Sequence, residues 1–211
     1  MVAKRNKAEP RKRTRLSPEA RREQILDAAK KSIVSNGLQQ FSLKKLAVDA
    51  GVSEPLLFHY FSSGKELLKQ LLERDFSRSI GSLNASLDEA ESLDEILHIY
   101  VTRNYDDFEK DSVIDILLAE PDIASAIEEQ RALNARRREQ FLIGTMSKEL
   151  GVRRRKAAMI ALMASATSMA AARFAHDRDI SRDESIQTVI DFVKAGFESQ
   201  RNNAAQGGRH D

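Results

Sequence analysis

The sequence predicts an all-α protein whose front end is a helix-turn-helix. Three observations carry that reading. Apolar residues recur at helical spacing along most of the chain, and no run alternates as a strand does. The segment 41–61, FSLKKLAVDAGVSEPLLFHYF, reads as a helix, a tight turn and a second, short helix. Charge is lopsided: residues 1–65 hold 14 Lys and Arg against 6 Asp and Glu, a balance of +8, so the remainder carries −6 of a net +2. A basic front and an acidic back suit a protein with one end on a polyanion.

Residues 1–16 hold seven basic residues and one acid and are expected to form a disordered basic arm. The first helix starts at Ser17-Pro18: Ser17 caps it, Pro18 takes the position that needs no N–H, and Glu19 meets the positive end of the dipole. Ile25, Leu26, Ala29 and Ile33 form its buried stripe, and Gly37 ends it. In the second helix Leu46, Ala47 and Ala50 share one face. Gly51 stops that helix because glycine enters the left-handed region cheaply, and Val52 plugs the turn. Ser53 caps the third helix, Pro55 suits its first turn, and Leu57 and Tyr60 point back at Leu46 and Ala50. Ala47 is small where two steeply crossing helices come closest. A purely structural helical hairpin is the alternative for this pattern.

The Ser62-Ser63-Gly64 turn opens a fourth helix, with Leu67, Leu68, Leu71, Leu72 and Phe76 apolar, running to about Leu87. The second part begins at Ser92, which caps a helix carrying Leu93, Ile96, Leu97, Tyr100 and Val101. A short helix over 112–119 stops before Pro121. Long helices come next over 123–150, closed by Gly151, then over 153–176 and 182–200. The tail 202–211 has no periodicity and is expected to be disordered. The domain expectation is therefore a basic arm (1–16), a helix-turn-helix domain (17–66), a helical domain (67–201) and a tail (202–211).

Cysteine is absent, which removes disulfides, thiolate metal sites and a cysteine nucleophile, and fits a reducing cytosol. MVAKRNKAEPRKRTRL has no apolar core of signal-peptide length, so a cytoplasmic protein is expected. The segment 157–172, AAMIALMASATSMAAA, is short and rich in Ser and Thr for a membrane span. A helix apolar on all sides is normally buried on all sides. In the next helix Ile186, Val189, Ile190, Val193 and Phe197 make one stripe. Two such helices per chain suit a four-helix bundle with a second copy, in which Met159, Met163 and that stripe are the expected contacts; completion of a monomer core is the alternative. Two copies would also give a helix-turn-helix a site of useful length.

The segment 41–61, with the turn and helix start that succeed it, resembles the N-terminal domain of TetR-family transcriptional regulators; the likeness extends over roughly residues 20–70. The resemblance rests on Ser42 as cap, on Ala50-Gly51-Val52-Ser53, on Phe58-His59-Tyr60-Phe61, and on Lys65-Glu66-Leu67-Leu68. It implies a dimer formed through the last two long helices and a double-stranded DNA partner read through the major groove. Glu54, Pro55, Leu56, Phe58, His59 and Tyr60 are the implied base-reading positions. Candidates for phosphates are Ser42, Lys44, Lys45, Ser53 and Lys65, with Arg11, Lys12, Arg13 and Arg15 following the backbone or entering the minor groove. The sequence departs from the family at Gly64, where a DNA-contacting Lys is usual, at Leu56, where Ser or Thr is common, and at Phe58, where Tyr is common.

The resemblance also implies a small-molecule effector pocket in the second domain and a ligand-released repressor. Tyr100, Asn104, Phe108, Phe141, Met146, Met163 and Thr167 are its candidate lining, on helices where core packing is the competing role. The runs Arg136-Arg137-Arg138 and Arg153-Arg154-Arg155-Lys156 attract an acidic effector or simply face water. Two other classes stay open. A DNA binder without an effector would show little sequence preference. A helical metal-dependent enzyme would need His98 and His176 to meet, yet His59, His98, His176 and His210 are scattered, without HExxH, a phosphate loop or GxSxG. No cofactor, metal site or catalytic residue is expected.

Overall fold

The computed structural model describes residues 16–109 and 112–207, and every regular element among them is helical. The chain divides into two compact units, Met1–Leu67 and Leu68–Asp211. The expected basic arm lies outside the described residues apart from Leu16.

In the first unit α1 (Pro18–Asn36) starts as its sequence dictates: the Ser17 hydroxyl accepts from the Ala20 N–H at 3.2 Å. The Glu19 carboxyl is held below the ordinary range by backbone N–H donation and by Ser17. Ile25, Leu26, Ala29 and Ile33 are buried, and Gly37 closes the helix with φ 77°. A single 3-10 turn (Leu38–Gln40) leads to α2 (Leu43–Asp49), capped by the Ser42 hydroxyl on the Lys45 N–H.

The turn after α2 is a Schellman closure. The Gly51 N–H donates to the Val48 carbonyl at 3.0 Å and the Val52 N–H to the Ala47 carbonyl at 2.9 Å. Gly51 has φ 65°, and a Cβ there would touch nothing within 4 Å, so backbone conformation alone demands glycine. Ser53 then caps α3 (Glu54–Tyr60), accepting from the Leu56 N–H at 3.3 Å. Leu46, Ala47, Ala50, Leu57 and Phe61 are buried together. Gln24 of α1 donates to the Ala50 carbonyl at 2.9 Å, and the Arg22 guanidinium sits 5.4 Å from the centre of the Phe61 ring. Leu57 has no exposed surface and anchors α3. Leu57→Ala is expected to cost about 2–5 kcal/mol. Thermal melting checks this, with the α3 surface losing DNA affinity while unit two keeps its own transition.

Helix α4 (Gly64–Glu89) opens with the Ser63 hydroxyl on the Glu66 N–H and continues into the second unit. Beyond it lie α5 (Leu93–Glu109), α6 (Val113–Leu118), α7 (Pro121–Ala124), α8 (Glu128–Leu150), α9 (Arg154–Asp177) and α10 (Arg182–Gly207). Helices α5, α8, α9 and α10 enclose a core of Leu97, Val101, Tyr105, Met146, Leu150, Ala157, Ala172 and Ala175 with Ile186, Val189, Ile190, Val193 and Phe197. Polar ties run from α5 to the last two helices and the loop between them: Asn104 to Ser168 at 2.9 Å, Tyr105 to the Ile180 carbonyl at 3.1 Å, and Arg182 to both Asp106 oxygens at 2.8 and 3.3 Å.

Four expectations are corrected. The helix expected over 123–150 begins only at Glu128, after α7 and a 3-10 turn (Ser125–Ile127). Ile123 and Ile127 are both buried, and Ile127 leaves the helical region at φ −119°, ψ 11°. The last helix does not end at Gln200: residues 202–207 are helical, with Ala204 packed on the core beside Gly151 and Arg201 donating to the Glu149 carbonyl at 3.2 Å. Only residues 208–211 of the expected tail lie outside the described residues. The stripe Ile186, Val189, Ile190, Val193 and Phe197 faces the chain's own core and is withdrawn from the surface. Helix α9 is not buried all round: Met159, Leu162 and Met163 are 61, 70 and 65% exposed. Although α9 is long and apolar enough to cross a membrane, its Ala157, Ser168, Ala172 and Ala175 face is packed into this unit.

Candidate nucleic-acid interface and ligand cavity

Local packing presents α3 outward. With Leu57 fixed inside, Glu54, Pro55, Phe58 and His59 are exposed, Leu56 and Tyr60 are half-buried, and the His59 and Tyr60 rings meet edge-on at 5.4 Å between centroids. Phe58 keeps 49% of its surface, so its ring is available for apolar contact. Lys44 and Lys45 stand exposed on α2. Ser42 and Ser53 accept backbone N–H bonds as caps, leaving each hydroxyl proton to donate. Lys65 is exposed on the first turn of α4, and the structure gives Gly64 room: a Cβ there meets only Leu43 side-chain carbons, from 3.5 Å. Arg11, Lys12, Arg13 and Arg15 lie outside the described residues.

In the second unit α4, α5, α8 and α9 line a partly open cavity of about 410 Å³. Its wall is chiefly apolar, including Leu83, Leu97, Leu142, Ile143 and Met146, with Tyr100, Arg103, Asn104, Arg138 and Glu139 as polar groups. The Tyr100 hydroxyl is buried without a hydrogen-bond partner. Burial pushes its pKa up, while the Arg138 and Arg103 guanidiniums pull the other way. Arg103 also donates to the Ser79 hydroxyl.

Of the seven residues expected to line an effector site, Tyr100, Asn104 and Met146 meet at this cavity. Met163 is on the exposed side of α9, and Thr167 is absent from the wall. Phe141 lines a second, smaller cavity, and the Phe108 side chain lies outside the described residues. Sequence reasoning missed Arg103, Leu142 and Glu139, and it left Arg138 in a run that either attracts an acidic effector or faces water. It also missed Leu162, Phe174 and Phe192 as exposed apolar groups, at 70, 53 and 68%. The signal for the α9 face was available: Met159, Met163, Ala166, Ala170 and Phe174 are spaced i, i+4, i+7, i+11 and i+15 and are all exposed. His98 is exposed and paired with the Thr102 hydroxyl at 3.4 Å, and His176 is exposed at the end of α9. Among the described residues no three His, Cys, Asp or Glu side chains gather as metal ligands.

Residues 25–71 match the model of bacterial regulatory proteins of the tetR family. The chain is 27% identical over 191 residues to the HTH-type transcriptional activator FasR of Mycolicibacterium smegmatis, covering 89% of this chain and 87% of that protein. The fold resembles that of the fatty acid degradation regulator FadR from Bacillus halodurans, with TM-score 0.59, 19% identity, and coverage of 85% of this chain and 96% of that one. It also resembles the transcriptional regulator FadR from Bacillus subtilis in complex with stearoyl-CoA, with TM-score 0.54, 18% identity, and coverage of 81% and 96%.

Proposed function

Since the chain belongs to the TetR family of bacterial transcriptional regulators, we propose that it is a cytoplasmic homodimer that binds a palindromic operator and is released from it by an acyl-chain effector. The observation that carries the reading is the pairing of an outward-facing α3 in one unit with a largely apolar cavity in the other. The acyl chemistry is supported by that wall and by relatives that regulate fatty acid metabolism, one of them holding stearoyl-CoA. Two copies meet through the exposed face of α9 with Phe192 of α10, in place of the buried stripe.

On DNA, α3 enters the major groove with Glu54 and Pro55 leading. Phe58 and Leu56 offer apolar contact to thymine methyls, Glu54 accepts from a cytosine amine, and Tyr60 reaches a phosphate. The exposed positions of α3 carry few hydrogen-bonding groups, so DNA shape shares the discrimination. An effector shifts binding only by favouring one of two arrangements of the dimer. The test is selection from a random DNA pool. One palindrome should be favoured by roughly 10³-fold or more over random DNA. Palmitoyl-CoA at 100 times its dissociation constant should add about 2.7 kcal/mol of stability and weaken operator binding. Absence of an enriched palindrome overturns the DNA assignment, and absence of any ligand-induced stabilisation leaves a DNA binder without an effector. One observation favours activation as a second reading: the Mycolicibacterium smegmatis relative is an activator. A reporter placed behind the selected operator separates the two signs.

Gly64 supplies a gain-of-function prediction. Gly64→Lys restores the cation usual in the family, on a backbone that accepts a Cβ. Two added phosphate contacts per dimer should steepen the log-affinity against log-salt slope by about 1.8. A salt titration of operator binding checks this, and an unaltered slope means that Lys65 already serves that phosphate.

A further inference from the structure

Arg138 belongs to two cavities at once. It lines the apolar 410 Å³ space beside Tyr100, and also a 250 Å³ space between α4 and α8. The second space is a recess with an apolar floor of Ile80, Leu87 and the Phe141 ring and a polar rim: Asn84 and Asp88 on α4, and Asn134, Arg137 and Arg138 on α8. On α8 the residues 134, 137, 138 and 141 are spaced i, i+3, i+4 and i+7, so one helical face supplies them all. The run Arg136-Arg137-Arg138 is thus graded: Arg136 is exposed and lines neither space, Arg137 is exposed on the rim of the second space, and Arg138 is half-buried between the two. Two guanidiniums against one carboxylate leave the recess with net positive charge. The buried Tyr100 hydroxyl, without a partner, marks the polar end of the apolar cavity, near Arg138.

We propose that the two cavities form one bipartite site, in which an acyl chain fills the apolar space and a phosphate-bearing head group rests on Arg137 and Arg138 in the recess. This deepens the acyl-effector reading and rests on it. Tyr100 donates to the carbonyl at the junction, and Arg138 spans both halves. Guanidinium forks suit phosphate oxygens, and the two asparagines add amide donors. Asp88 opposes the anion and limits affinity. The protein therefore distinguishes an activated or esterified acyl chain from the free acid, although both carry the same tail.

The test is calorimetric titration of the full chain with palmitate, palmitoyl-CoA and 1-palmitoyl lysophosphatidate. The last two separate a nucleotide-bearing head from a lipid head. At least one of them should bind about tenfold or more tighter than palmitate, the factor expected of charge-assisted hydrogen bonds. Arg137→Gln should remove that advantage and leave palmitate affinity within about twofold, which also reports an intact apolar cavity. Arg138→Gln should weaken palmitate and the phosphate-bearing ligand alike, and Asp88→Asn should tighten only the latter, by about threefold. If palmitate binds as tightly as both phosphate-bearing ligands and Arg137→Gln changes nothing, the head-group site is overturned while the acyl reading stands. If none of the three binds, both fall.

Discussion

Exchanging Met163 and Phe192 for glutamate is expected to give a folded monomer that has lost about 10³-fold or more of its operator affinity. Both side chains are about two-thirds exposed, at 65 and 68%, so neither substitution opens the core of the second unit. Surface changes of this kind usually alter stability by no more than about 0.5 kcal/mol. In the proposed dimer their effect falls on the second copy. Met159, Met163 and Phe174 line one side of α9, and Phe192 protrudes from α10. Four large apolar groups left in water on a chain of this size call for a cover. Placing four glutamates in that seam, two from each copy, sets like charges against one another at several kcal/mol. A monomer then reads one half-site, and the affinity that came from holding both halves together disappears. Sedimentation equilibrium and operator titration check the two halves of the result. A double variant that remains dimeric places the interface elsewhere. Ile190→Glu makes an instructive contrast: it puts a charge into the chain's own core and should unfold the second unit.

The contrast shows what a single sequence could and could not disclose. The helix-turn-helix was legible because its determinants are local. Ser17, Ser42 and Ser53 cap within three residues, and Gly51 sets a turn whose hydrogen bonds span three and five. Leu46, Ala47, Ala50 and Leu57 meet through a connection too short to allow another arrangement. The second unit was legible as helices but not as faces. Periodicity placed Ile186, Val189, Ile190, Val193 and Phe197 on one side of α10, yet could not say whether α5 and α9 or a second copy covers them. The bend at Ile127 eluded the pattern because Ile123 and Ile127 fit one continuous helical stripe. Both are buried, as a continuous helix would also have them, so the break shows only in the Ile127 backbone at φ −119°, ψ 11°. The end of α10 was misplaced because docking of Ala204 on the core, a long-range effect, holds a segment whose own pattern is weak. The cavity draws Leu83, Tyr100, Arg138 and Ser165 from four helices, so no spacing within the chain could assemble it.

Deleting residues 1–16 should weaken operator binding by about 10³-fold at 0.15 M salt and halve its salt dependence. The cut removes Arg11, Lys12, Arg13 and Arg15 but leaves Ser17 and Pro18, so the cap on the Ala20 N–H and the α1 core survive. A dimer that neutralises eight phosphates has a log-affinity against log-salt slope near −7, at about −0.9 for each. If its two arms supply half of those contacts, the truncated dimer should show a slope near −3.6. Fluorescence anisotropy with the selected operator between 50 and 200 mM salt resolves the two values. A chain with Arg11, Lys12, Arg13 and Arg15 all changed to Gln separates charge from length, and it should behave as the deletion does. A base-reading change such as Phe58→Ala should act differently, lowering preference for particular base pairs at constant slope. Should the slope survive removal of the arm, the cations on α2 and α4 already account for every phosphate that the dimer neutralises, and the basic front of this chain serves another partner.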